Sequence, residues 1–98
     1  MDALNEQFKG WVRDIRLTDC PGDNERMGIR IEVSSGAEHY SGELTLPNSD
    51  AARTYSKMSH IFIETSTEVD VDVEGPLMTI QLPGGEVFGN FRLMSPPS

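Results

Sequence analysis

Residues 67–75 read Thr-Glu-Val-Asp-Val-Asp-Val-Glu-Gly, so Val69, Val71 and Val73 alternate with Glu68, Asp70, Asp72 and Glu74. A strict period of two belongs to a strand with one buried face and one solvated face; a helix would spread both residue types around its circumference. The segment therefore requires a sheet with an apolar interior on one side only. Its inner face is all valine and its outer face all carboxylate. At a rise of roughly 3.4 Å per residue, the four carboxylates span about 20 Å, one every ~6.8 Å.

Five other segments share that period. Residues 8–17 place Trp11, Ile15 and Leu17 on one parity. Met27, Ile29, Ile31 and Val33 alternate with Gly28, Arg30 and Glu32, and Tyr40, Gly42, Leu44 and Leu46 alternate with Ser41, Glu43 and Thr45. Residues 77–82 and 86–93 form a last pair around Pro83-Gly84-Gly85, which reads as a hairpin turn. Cys20-Pro21-Gly22-Asp23-Asn24 and Ser34-Ser35-Gly36 separate the first three strands. Between Leu46 and Val69 the period changes. Ala51, Tyr55, Met58 and Phe62 fall at helical spacing, which predicts one helix over about 49–62. Asn48 or Ser49 can cap it, and Asp50 suits its first turn.

The expected fold is α+β and mostly β: a small antiparallel sheet or partly open barrel in the order βββ-α-βββ. That element order is OB-like; a ferredoxin-like roll with the helix on an open sheet is the rival. Residues 1–94 make one domain, and Ser95-Pro96-Pro97-Ser98 is a short tail that cannot join a ladder. A single cysteine, Cys20, rules out an internal disulfide. With no charged-then-apolar leader and no apolar run near ~18 residues, the expected location is cytoplasmic and no membrane is involved.

Charge bears directly on function. Net charge is −8, and residues 1–49 and 50–98 each carry nearly the same acidic excess, so no acidic tail or basic arm stands out. Repulsion from nucleic acid and anionic lipid follows, as does attraction to basic proteins. The acidic row itself is too sparse to copy DNA unaided, because one DNA strand carries a charge per ~3.4 Å. Asp70-x-Asp72-x-Glu74-Gly75 resembles the start of a calcium loop, but Gln81 stands where the closing Glu belongs and Val71 and Val73 interrupt the acids. No metal site is expected.

Catalysis finds little support. Cys20, His39 and His60 have no spacing that joins them into a nucleophilic set, and no phosphate-cradling glycine loop occurs. No enzyme activity, catalytic residue or cofactor is expected. For single-stranded nucleic acid, Phe8, Trp11 and Tyr40 with Arg13, Arg16 and Arg30 are the local supply of platforms and cations. Trp11 and Tyr40 share parity with core positions, which makes them packing residues. Phe88 has two readings. If Val87, Gly89, Phe91 and Leu93 face inward, Phe88 faces out beside Asn90, Arg92 and Met94, an interface-like composition. The opposite parity buries Phe88 and exposes Phe91.

These residues point to a non-catalytic macromolecule-binding protein. Glu68, Asp70, Asp72 and Glu74, with Phe88, would meet a protein with a basic surface; a small phage-type inhibitor of a nucleic-acid-handling machine would have this profile. The alternatives are an OB-type single-strand-binding domain and a small structural subunit. A competing account of the acidic row is that it protects an edge strand from pairing with another chain.

Overall fold

A computed structural model describes residues 5–95, with side chains apart from those of Asn5, Phe88 and Ser95. Six antiparallel strands close into a barrel: β1 (Asn5–Asp19), β2 (Arg26–Ser35), β3 (Glu38–Pro47), β4 (Glu68–Glu74), β5 (Leu77–Gln81) and β6 (Val87–Ser95). Helix α1 (Asn48–Met58) and a π-helical segment (Ser59–Glu64) connect β3 to β4. All six expected strands and the helix are present. Ser95, expected in the tail, instead ends β6 opposite Ser41; the rest of the expected tail, from Pro96 onward, lies outside the described residues. No described helix is long and apolar enough to cross a membrane.

Two meanders, β1-β2-β3 and β4-β5-β6, are joined edge to edge by β1 on β4 and β3 on β6. β1 makes this possible by serving both: residues 5–11 pair with β4 and residues 11–19 with β2. A strand used twice must bend sharply. The bend falls at a bulge, where the register slips between Val12 and Asp14 and leaves Arg13 without a partner on β2. Gly10 sits just before it, and any Cβ there would lie 2.9 Å from both the Ser34 carbonyl oxygen and Val33 Cγ1. Glycine is thus the residue that lets the two strands approach.

The bulge reverses the parity of β1. Val12 is buried on one side of it and Ile15 on the other, so Trp11 points outward. This corrects the expectation that Trp11 packs in the core with Ile15 and Leu17. Tyr40 does pack there, stacked on Phe8 at 4.9 Å between ring centroids. The remaining core comes from Ile29, Ile31 and Val33 on β2, the three valines of β4, Met78 and Ile80 on β5, and Phe91 on β6. The helical connection supplies Ala51, Met58 and Phe62, at the expected spacing.

The start of α1 differs from expectation. Neither Asn48 nor Ser49 caps it; the N-cap is Pro47, with no side-chain hydrogen bond. Asn48 instead donates its side-chain amide to the Asn24 carbonyl at 2.8 Å and its backbone N–H to the Glu25 carbonyl at 2.9 Å. A long-range anchor to the β1–β2 loop has displaced the local cap. Asp50 does occupy the first turn, where Arg53 bonds it at 2.6 Å.

Tyr40 gives the barrel a measurable alkaline limit. Its hydroxyl donates to Glu38 at 3.0 Å and lies 3.4 Å from Glu6. Burial, then the bond to Glu38 and the charge of Glu6, push the phenol up to about 12 from an ordinary 10.0. The neutral form is favoured in the folded chain, so this contribution is complete below pH 10 and is lost as pH rises from 10 through about 12. Urea unfolding across that window should show stability falling more steeply in wild type than in Tyr40→Phe. Parallel pH profiles would mean that the hydroxyl is not held this way.

Candidate functional site

β4 keeps the alternation of its sequence. Val69, Val71 and Val73 are buried, Glu68 and Asp70 are half-exposed, and Asp72 and Glu74 are exposed. The strand is not at an edge. It is hydrogen-bonded to β1 on one side and β5 on the other. The edge-protection account is therefore corrected: closure of the barrel leaves β4 no free backbone to shield.

Register places the neighbours of each carboxylate. On β1, Trp11 lies opposite Glu68, Lys9 opposite Asp70 and Gln7 opposite Asp72. On β5, Gln81 faces Asp70, Thr79 faces Asp72 and Leu77 faces Glu74. A shallow cavity of about 250 Å³ opens on this surface, lined by Gln7, Phe8, Asp70, Val71, Asp72, Thr79 and Gln81. None of the four carboxylates is held in an ion pair or side-chain hydrogen bond among the described residues. Their charge is uncommitted. No three His, Cys, Asp or Glu side chains converge as a metal site among the described residues; on a strand the acids stand in line instead of curling around a centre.

At the Glu68 end the row meets an apolar patch. Trp11 is 40 % exposed and Ile63 is 39 % exposed, and both line a second cavity of about 210 Å³ with Val12, Arg13, Phe62 and Ser66. Two local irregularities present these side chains. The bulge in β1 turns Trp11 out. The wider π-helical turn sends Phe62 into the core while leaving Ile63 at the surface; β-branched Ile61 and Ile63 fit a tight α-turn poorly. Ser66, in the left-handed region at φ 54°, then turns the chain toward β4. Bulges and π-turns recur next to working sites because they re-aim side chains. Arg13, the bulged residue, is fixed by donating from Nε to the buried Ser34 hydroxyl at 2.6 Å.

Ile63 was absent from the residues singled out by sequence, and Trp11 had been assigned to packing. One signal was available. Val12 and Ile15 cannot both face the interior of a regular strand, so two apolar residues of opposite parity imply a break between them. Phe88 remains apart: its side chain lies outside the described residues. Around it, the register slips between Ile80 and Gln81, Phe91 is buried and Val87 is 48 % exposed. The inward assignment therefore holds for Phe91 and fails for Val87.

Among the described side chains proposed as base platforms, Phe8 and Tyr40 are occupied with each other and Trp11 alone is exposed. Of the cations, Arg16 and Arg30 lie opposite each other in a cross-strand row that continues through Glu43 to Arg92, with Asp14 facing Glu32 in a nearby row, while Arg13 is bonded to Ser34 apart from it. No family model matches this chain, and neither the curated proteins nor the solved structures provide a match.

Proposed function

We propose that this is a non-catalytic protein-binding domain that docks its β4 face on the basic surface of a partner protein in the cytoplasm. The observation that carries the reading is a juxtaposition: uncommitted Glu68, Asp70, Asp72 and Glu74 run directly into the exposed Trp11–Ile63 patch. Each part has a different task. Carboxylates speed and orient encounter with a basic surface, whereas a desolvated aromatic anchor supplies most of the affinity. A machine that handles nucleic acid offers such a basic track, and a small acidic domain seated on it would act as an inhibitor.

The double variant Asp70→Asn, Asp72→Asn tests the electrostatic half. It removes two charges with little change of shape. Association with the partner should slow on the order of tenfold at low ionic strength, with a flatter salt dependence. Because β4 is paired on both sides, the variant should stay as monodisperse as wild type. Stopped-flow or surface-capture rates that match wild type from low to moderate salt would sink the reading.

A further inference from the structure

The groove between β1 and the π-helical segment exposes Trp11 and Ile63 over a floor of buried Val12 and Phe62, with Arg13 and Ser66 on its polar rim, and Trp11 lies opposite Glu68 at the end of the acidic row. We infer that its occupant is the apolar face of a basic amphipathic helix from the partner. This inference rests on the protein-binding reading above and adds the conformation of the bound segment.

The closed sheet is the first reason. Peptides often dock on β proteins by adding a strand to a free edge. Here β4 is paired with β1 on one side and with β5 on the other, so the acidic row itself offers no such edge. An extended segment laid over the β4 face would bury its own N–H and C=O groups with no backbone to pair them. A helix brings those hydrogen bonds with it.

Charge and spacing are the second reason. The groove lies at the end of a carboxylate row with one charge per ~6.8 Å. Successive i, i+4 positions on a helix are separated by ~6 Å. Lysines or arginines flanking the apolar stripe of a helix can therefore follow the row while the stripe enters the groove. An extended chain also matches that spacing at i, i+2, so the choice between them falls to backbone satisfaction.

Trp11 is the chain's single tryptophan, so its emission reports on the groove directly. The probes are three synthetic peptides without tryptophan, each about 18 residues, long enough to cover the row at 1.5 Å per residue. One is a Lys/Leu helix with a leucine stripe. The second has the same composition in strict alternation, which favours an extended chain. The third is the helix with Glu in place of Lys.

The Lys/Leu helix should shift Trp11 emission to the blue and bind at least tenfold tighter than its alternating isomer, with no shift from the Glu helix. Ile63→Asp should weaken that binding at least tenfold. Met94→Asp, at a 38 % exposed position on β6, should not change it. An alternating peptide that binds as tightly as the helix would overturn the helical inference and leave the protein-binding reading standing. Helix binding that survives Ile63→Asp would also overturn it, since the groove would not be the seat. If neither basic peptide moves the emission at low salt, the inference and the reading beneath it both fail.

Discussion

Replacing Phe91 by alanine should destabilise the barrel by about 3–5 kcal/mol, a large share of the ~5–15 kcal/mol that holds a domain together. Phe91 is fully buried, lies opposite Met78 on β5, and packs so closely over β3 that a Cβ on Gly42 would stand 2.9 Å from its own Cβ. Its ring therefore fills the seam where the two meanders meet. Its neighbour Met78 is held on β5 between β4 and β6, so the site can collapse only in part. Removal of the ring costs both its transfer from water and the cavity left behind. Chemical denaturation should show a lower midpoint with an unchanged slope. A loss below about 1 kcal/mol would place Phe91 outside the core.

Trp11→Ala should have the opposite profile: a barrel within about 0.5 kcal/mol of wild type, but partner binding weaker by about 2 kcal/mol or more, roughly thirtyfold in Kd. The side chain is 40 % exposed and stands on a bulge whose geometry is held by Arg13 and Ser34. It contributes little that the fold requires. Its indole and the aliphatic side chain of Ile63 are instead exposed apolar surface at the Glu68 end of the acidic row. Calorimetry with the captured partner distinguishes affinity from stability. Binding within twofold of wild type would remove Trp11 as the anchor. A matching loss of thermal stability would return it to a structural role.

The period-two pattern located all six strands, because alternation is imposed locally by the pleat, but it began the first at Phe8, whereas β1 starts at Asn5 and pairs Asn5, Glu6 and Gln7 with β4. Ala51, Met58 and Phe62 located the helix for the same reason. What the pattern did not reveal depends on contacts between distant segments. Trp11 was misassigned because the slip at Arg13 reverses the parity of everything before it. Phe91 and Val87 could not be ordered because a second slip, opposite Ile80 and Gln81, lies between them. Asn48 looked like a cap, but the β1–β2 loop engages it. The acidic row was visible from the start. Whether it protected an edge depended on the pairing of β1 with β4, which no local pattern encodes.

The double use of β1 also has a kinetic consequence. Each three-stranded meander can assemble from neighbours in sequence, but residues 5–11 find their partners only on β4, with Asn5 matched to Glu74. During synthesis the first strand must therefore wait, half paired, until most of the chain has emerged. Joining segments so far apart is entropically slow, and sheets of this kind fold later than those built from local contacts. Closure needs this pairing and that of β3 with β6, both between segments distant in sequence. The pairing of β1 with β4 places Trp11 beside Glu68, so the proposed binding face forms only when that long-range pairing does.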